Sequence, residues 1–240
     1  MEWTAMEINP EMLNKIMSKL GVSGHWRFVD ILGLEGDQLT AVPKPSCALM
    51  LLFPLTQQHE EFRIQQANKV TGGSDVYFLK QVASNSCGTI ALVHAIANNK
   101  AKMTFENSSV LKTFLDETAG MSPDERSKHL EGNKAICEVH NEVAKEGQCR
   151  PEGEQVNFHF IAFVNVNGQL YEFGCSQSVP QLHGTRERRS PLLSCGSLSV
   201  LNDLVTNSNC KRHSSTAFAL QTVKRRPTVV CAPTSGGTMH

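Results

Sequence analysis

A cysteine lies where a polar capping cluster meets an apolar stretch. Cys87 follows Ser-Asn-Ser at 84–86 and precedes the almost wholly apolar segment 89–97, which predicts a buried helix beginning close to the cysteine. A thiol at a helix N-terminus lies beside free backbone N–H groups and the positive end of the helix dipole, and both favour the nucleophilic thiolate. Cysteine is also a common buried apolar residue, so position alone leaves a structural role open.

A glutamine precedes this cysteine at a defined distance. Gln81 lies six residues before Cys87. A side-chain amide beside a nucleophilic thiolate can donate to the oxyanion of an acyl-transfer intermediate, together with the Cys87 backbone N–H. A surface glutamine is the commoner case for any single Gln, but this spacing ahead of a helix is the one that papain-type thiol proteases use.

His159 is the candidate base. It lies in the long apolar segment 156–166, which predicts a strand with apolar residues on both faces. A lone histidine there is more often a core residue, but together with Cys87 and Gln81 it completes the arrangement of a thiol protease. Five other histidines of the body are weaker candidates. His94 belongs to the apolar helix itself, and four lie in polar contexts: His25, His59, His129 and His140.

Hydrophobic periodicity and turn residues predict the elements that must position these side chains. Helices are predicted at 10–20, 89–97, 109–118 and 123–146, and strands at 26–32, 46–53, 156–166 and 169–173, with 76–79 strand-like or connecting. This order predicts an α+β fold.

Composition excludes several classes of protein. The longest apolar run, residues 47–55, is too short to span a bilayer, and the N-terminus lacks the pattern of a secretory signal. No two of the eight cysteines lie within four residues of each other, so neither a zinc knuckle nor a CxxC pair is expected. We therefore expect reduced thiols, a cytoplasmic location, and neither a metal nor a cofactor.

The net charge of zero conceals two oppositely charged segments. Residues 1–173 carry 15 basic and 21 acidic side chains, whereas residues 174–240 carry 8 basic and 2 acidic ones. The second segment has 17 Ser and Thr among its 67 residues and a single aromatic residue, Phe218. Such a composition buries little apolar surface, so we expect a folded body at 1–173 and a poorly ordered basic tail at 174–240.

Several motifs resemble those of the ubiquitin carboxyl-terminal hydrolases, peptidase family C12. They are Met6–Asn14, Trp26–Asp30, Leu51–Pro54, Tyr77–Gln81, Asn85–Ile90, Leu92–Asn98, Met121–Arg126, Glu146–Gln148 and Asn157–Ile161. The opening motif is closest to the neuronal isozyme of that family. The resemblance covers about residues 5–173.

The resemblance implies a papain-like thiol protease core, a central antiparallel sheet flanked by helices. It implies that Cys87 is the nucleophile, His159 the general acid and base, and Gln81 the oxyanion donor. A loop at about 143–156 would cross the active site and limit the size of the leaving group. The partners would be ubiquitin and its small C-terminal adducts, with ubiquitin touching Ala5, Met6, Glu7, Ile8, Asn9 and Pro10.

The chain departs from the family pattern after Phe173. The family continues with Asp-Gly-Arg-x-Pro-Phe-Pro, whose aspartate orients the catalytic histidine, whereas this chain has Gly174 followed by Cys-Ser-Gln-Ser-Val-Pro. Glu172 lies two residues too early to replace that aspartate, and Asn165 is a poor substitute. One hypothesis is a frame change, since codons can be chosen for residues 174–181 that read Asp-Ala-Arg-Ser-Pro-Phe-Pro when shifted by one nucleotide.

Three functions are compatible with these features. The first is a thiol hydrolase that cleaves small adducts from the C-terminal glycine of ubiquitin, with an acidic body suited to the basic ubiquitin tail. The second is a catalytically impaired ubiquitin-binding protein, because losing the carboxylate that orients the histidine costs about four orders of magnitude in a serine triad. The third, nucleic-acid binding by the tail, is disfavoured because no aromatic stacking platform accompanies its charges.

Overall fold

The computed structural model describes residues 1–32, 45–54, 76–81, 83–147, 158–167, 169–174, 180–185 and 216–222. The elements in these ranges are α1 (Pro10–Lys19), β1 (Val22–Ser23), β2 (Trp26–Ile31), β3 (Ser46–Pro54), α2 (Cys87–Ala97), β4 (Thr104–Phe105), α3 (Val110–Glu117), α4 (Pro123–Glu131), α5 (Lys134–Ala144), β5 (Phe158–Val166), β6 (Gln169–Gly174), β7 (Gln181–Thr185) and β8 (Thr216–Thr222). None of the helices in these ranges has the length and apolar character needed to cross a membrane.

Six of the strands form one antiparallel sheet in the order β2-β8-β3-β5-β6-β7. β3 lies inside it, so that Leu51 pairs with Ile161 of β5 on one side and with Ala217 of β8 on the other. β1 and β4 form a separate two-stranded pair. The prediction of an α+β fold with a central antiparallel sheet and helices is confirmed.

The helix α2 runs through the core. All nine residues from Gly88 to Ile96 are buried, as expected for a helix that is apolar on every side. α2 packs against β5, and the core between them includes Phe160 and Ala162. The same core receives α1 through Leu13 and Ile16. Because these layers pack around α2, they fix the position of its first residue, Cys87, relative to the core.

Local capping signals set several helix boundaries where the sequence predicts them. Asn9 is the N-cap of α1, and its side chain accepts a bond from the Met12 N–H at 2.9 Å. Gly21 ends this helix in the left-handed region, at φ 80°, with the Ser109 backbone only 2.6 Å from where a Cβ would lie. Ser122 and Glu125 form a reciprocal capping box at the start of α4.

The predicted helix over 123–146 is wrong in one respect, because the structure divides it into α4 and α5. Gly132 caps the C-terminus of α4, and Asn133 caps the N-terminus of α5 by accepting a bond from the Ile136 N–H at 3.0 Å. A glycine followed by a good N-cap residue stops one helix and starts the next. Residues 76–79 connect elements and form no strand.

The prediction of a poorly ordered tail is wrong for two segments of it. Residues 181–185 form the edge strand β7, and β8 occupies an interior position between β2 and β3. In β8 the residues Ala217–Leu220 are all buried, and Phe218 belongs to the main core. The average composition of 67 residues hides this short apolar run. Apart from Gly174, which ends β6, and Pro180, the other tail residues lie outside the described residues.

Candidate active site

Cys87 is the first residue of α2 and is half-buried. The residue before it, Ser86, is the N-cap, but its hydroxyl donates to the Ala83 carbonyl at 2.7 Å and makes no capping bond to the helix. The first-turn N–H groups are therefore not occupied by the Ser86 side chain. This arrangement places the thiol at the positive end of the helix dipole, as the sequence predicts.

Gln81 is tied to the same turn. Its Nε2 donates to the Ala83 carbonyl at 3.2 Å, so one carbonyl accepts bonds from both Gln81 and Ser86. The Gln81 Oε1 is buried and has no hydrogen-bond partner among the described residues. An amide nitrogen carries two hydrogens, so this bond fixes the amide and leaves one hydrogen for a second acceptor. The turn at 83–86 thus connects the predicted oxyanion donor to the start of α2.

Asn85 shapes that turn. Its φ of 62° lies in the left-handed region, which asparagine tolerates better than most residues. Its Nδ2 donates to the Trp3 carbonyl at 3.0 Å. The residue two positions before the nucleophile is therefore bonded to the N-terminal segment of the chain, a contact that the sequence did not predict.

The segment predicted to touch ubiquitin lies directly over the start of α2. A Cβ on Gly88 would lie 2.2 Å from Ile8 Cδ1 and 3.4 Å from Met6 Cε, so the Ile8 side chain approaches the helix where only hydrogen stands. Met6 and Ile8 are partly buried against the core, whereas Ala5 is exposed. Any ubiquitin contact here would occur beside the nucleophile.

The same segment approaches the start of the predicted crossover loop. A Cβ on Gly147 would lie 3.2 Å from Glu7 Cβ, and the Glu7 carboxylate accepts a bond from Asn9 Nδ2 at 3.0 Å. Residues 143 and 144 belong to α5. Residues 148–156, the part that would cross the active site, lie outside the described residues.

His140 is completely buried, although its sequence context is polar. Its Nε2 is 2.8 Å from the Thr4 carbonyl, which can only accept, so Nε2 carries the hydrogen and donates. Its Nδ1 then accepts from the Thr89 hydroxyl at 2.8 Å. The Trp3 ring packs edge-on against the imidazole at 4.8 Å. Burial lowers the pKa of His140 and favours this neutral form.

His94 is also buried, and it is a structural residue. Burial lowers its pKa to about 3. Its Nε2 lies 3.1 Å from the Leu79 carbonyl, and the imidazole stacks on Phe78 and Phe173. A neutral histidine in this place holds the segment that leads to Gln81.

In the described ranges, no group of three His, Cys, Asp or Glu side chains could hold a metal ion.

The backbone of His159 lies in β5, opposite Phe53 of β3. β5 is a strand against which α2 packs, so the topology brings the histidine and the nucleophile helix to adjacent elements. The imidazole itself lies outside the described part of the structure. Its contact with Cys87 stays a prediction.

The strand register separates Glu172 from Gly174, the position at which the resemblance predicts a carboxylate. Gly174 pairs with Ile161, two residues from His159, whereas Glu172 pairs with Phe163, four residues away. At about 3.4 Å per residue, the Glu172 backbone lies about 7 Å further along the strand. Glu172 is buried. It therefore does not lie at the position of Gly174, where the resemblance predicts the family's aspartate.

Comparison with known proteins identifies the family. A family model described as ubiquitin carboxyl-terminal hydrolase, family 1, matches residues 3–206, which includes part of the tail. Isozyme L1 of Homo sapiens is 57% identical over 187 residues, or 77% of this chain and 83% of the relative. Isozyme L1 of Bos taurus is 47% identical over 224 residues, covering 80% and 88% of the two chains.

A solved structure supports the fold. The UCH37 catalytic domain of Trichinella spiralis bound to ubiquitin vinyl methyl ester superposes with a TM-score of 0.72 at 21% identity, over 93% of this chain and 97% of that one. This likeness confirms the expected papain-like fold. The chain belongs to the ubiquitin carboxyl-terminal hydrolase family 1.

Proposed function

We propose that this protein is a cysteine-type ubiquitin hydrolase that removes small adducts from the C-terminal glycine of ubiquitin. The observation that carries the proposal is the position of Cys87, at the first residue of a buried helix whose N-terminal turn also holds the Gln81 amide through Ala83. A thiol and an amide held by the same turn are the groups that a nucleophile and an oxyanion donor would require. Membership of the family supplies the substrate class.

In the proposed reaction the Cys87 thiolate attacks the carbonyl carbon of the C-terminal glycine of ubiquitin. The negative charge that develops on the carbonyl oxygen is stabilised by the Cys87 backbone N–H and by Gln81 Nε2. Protonated His159 gives its proton to the departing amine or alcohol, and a thioester remains. Neutral His159 then takes a proton from water, which attacks the thioester and releases the ubiquitin carboxylate and the thiol.

The proposed partner surface is the N-terminal segment 5–10. Its residues Met6 and Ile8 lie beside Gly88, so ubiquitin bound to this segment would contact the protein next to the nucleophile. The acidic body, with 15 basic and 21 acidic side chains over residues 1–173, suits a basic partner. The reduced thiols of Cys47, Cys87 and Cys137 agree with a cytoplasmic location, which we also propose.

The second candidate is a ubiquitin-binding protein impaired in catalysis. Gly174 favours it, because no carboxylate stands at that position to orient His159. A thiolate and imidazolium pair depends less on such a carboxylate than a serine does, so we expect reduced turnover and not its complete loss.

One assay separates the two candidates. The full chain and its Cys87→Ala variant are compared for release of a fluorophore from the ubiquitin C-terminus, and ubiquitin binding is measured on both. The hydrolase predicts turnover that disappears in Cys87→Ala while ubiquitin binding persists. Binding without any Cys87-dependent turnover would leave only the second candidate, and loss of both would exclude the two together.

A further inference from the structure

The N-terminal segment is bonded to both sides of the nucleophile. Asn85, two residues before Cys87, donates to the Trp3 carbonyl at 3.0 Å. Thr89, two residues after it, is linked through His140 to the Thr4 carbonyl, by two bonds of 2.8 Å. Two consecutive carbonyls of the segment are therefore tied to the two residues that flank the reacting thiol at equal distance in sequence.

Further contacts hold the segment in place between these ties. Ile8 Cδ1 lies where a Gly88 side chain would begin. Asn141 accepts a bond from the Thr4 N–H at 2.8 Å and donates to the Glu2 carbonyl at 3.0 Å. Trp3 is buried beside His140. The segment is thus fixed on α5 and pressed against the first turn of α2.

We propose that residues 2–8 form an N-terminal clamp that positions Cys87, with Asn85, Thr89 and His140 as its positioning residues. This inference rests on the proposed function and deepens it. The clamp fixes the left-handed turn at Asn85 and the first turn of α2 relative to one backbone segment. Because the same segment includes the proposed ubiquitin contacts, the clamp would transmit substrate binding to the thiol.

The expected effect is on the chemical step. Small misplacements of a reacting group lower turnover strongly while leaving remote binding contacts in place. We therefore expect removal of either tie to lower kcat with little change in KM. The two ties use different side chains, Asn85 in one and Thr89 with His140 in the other. A lower kcat on removal of either tie therefore points to the clamp.

Two variants remove the ties with little steric change. Asn85→Gly keeps the left-handed backbone accessible and deletes the donor to Trp3. Thr89→Val deletes the hydroxyl that His140 accepts from, and Thr89→Ser retains it. Asn14→Ala is the matched control, because Asn14 also bonds to a backbone, that of Phe28, but makes no described contact with residues 83–89.

Two readouts are needed. One is kcat and KM for a fluorogenic ubiquitin conjugate. The other is the rate at which iodoacetamide alkylates Cys87 at pH 7, followed by mass spectrometry, which does not require ubiquitin. We expect Asn85→Gly and Thr89→Val to lower kcat by about tenfold with KM within twofold, and to change the Cys87 alkylation rate by severalfold. Thr89→Ser and Asn14→Ala should stay within twofold of the wild type.

The proposal is overturned if Asn85→Gly and Thr89→Val keep wild-type alkylation of Cys87, whatever happens to turnover. It is also overturned if Asn14→Ala, at an equal loss of thermal stability, changes kcat and the Cys87 alkylation rate as much as Asn85→Gly and Thr89→Val do. A wild-type chain without Cys87-dependent turnover would refute the proposed function, and the alkylation rates would still decide on the clamp.

Discussion

The resemblance to the family predicts an aspartate at the position of Gly174, and the register of β6 separates Glu172 from that position. Glu172 pairs with Phe163, about 7 Å further along the strand than the Gly174–Ile161 pair. The prediction from sequence that Glu172 is a poor substitute thus has a geometric reason.

Restoring the carboxylate is therefore informative. We expect Gly174→Asp to raise kcat for a fluorogenic ubiquitin conjugate by at least tenfold, because the carboxylate would orient and stabilise the His159 imidazolium. Gly174→Asn is the control, since it adds a side chain of similar size without charge. Equal kcat values for the two variants would mean that orientation of His159 does not limit turnover.

The contact between Ile8 and Gly88 makes a second prediction at the residue scale. Gly88→Ala places a methyl group 2.2 Å from Ile8 Cδ1, so the end of the Ile8 side chain must move. We expect a loss of about 1–3 kcal/mol in the free energy of unfolding, measured by denaturant titration. Gly120→Ala, which meets no atom within 4 Å, is the control. Adding Ile8→Ala should restore part of the loss, and an additive double mutant would refute the contact.

At the scale of elements, α2 combines the nucleophile at its first residue with a buried histidine two turns later. The neutral state of His94 gives stability a pH dependence. In the unfolded chain its pKa is near 6.5, and in the folded chain burial lowers it to about 3. Between pH 3 and 6.5 the unfolded chain binds a proton at His94 and the folded chain does not. The stability that the neutral His94 contributes is therefore complete above pH 6.5 and is lost as the pH falls towards 3.

We expect His94→Gln to reduce the slope of unfolding free energy against pH, between pH 6 and 4, by about 1.4 kcal/mol per pH unit. Denaturant unfolding at pH 6, 5 and 4 measures this slope. His129→Gln, which removes an exposed imidazole, is the control. An unchanged slope in His94→Gln would contradict the buried neutral state.

Elements with strong local signals were predictable from the sequence. Asn9 with Pro10, and Ser122 with Pro123, mark helix starts that the structure reproduces, because a cap acts within one turn. The polar cluster before the apolar segment predicts that Cys87 lies at a helix start, which the structure confirms, whereas the catalytic roles of Gln81 and Cys87 stay predictions. The break at Gly132 was missed because the helical signal continues on both sides of it.

What was missed depends on residues distant in sequence. The bond from His140 to Thr4 spans 136 positions, and the pairing of Leu51 with Ala217 joins segments far apart in the chain. No periodicity reports such contacts. The burial of His140 and its bonds to Thr4 and Thr89 therefore could not be recognised before the fold was known.

At the scale of the whole molecule, the body and part of the tail share one sheet. β8 lies between β2 and β3 and therefore joins β2 to the rest of the sheet. The residues of β8 come after Phe173, where the family resemblance was expected to end. The opposite charges of the two segments do not separate them structurally. The tail contributes an interior strand of this sheet, the seven residues Thr216–Thr222.

This role of β8 can be measured. Phe218 is 1% exposed and belongs to the main core, so we expect Phe218→Ala to lower the free energy of unfolding by about 3–5 kcal/mol. Leu32→Ala, which truncates an apolar side chain that is 91% exposed, is the control and should keep wild-type stability. Unchanged stability of Phe218→Ala would contradict the interior position of β8.

The central claim is that Cys87 is a nucleophile directed at the C-terminus of ubiquitin. Ubiquitin vinyl methyl ester, the compound bound to the related Trichinella spiralis domain, tests it most directly. After incubation with the full chain, peptide mapping by mass spectrometry should find ubiquitin attached at Cys87, and Cys87→Ala should remain unmodified. No adduct, or an adduct on any other of the eight cysteines, would contradict the account.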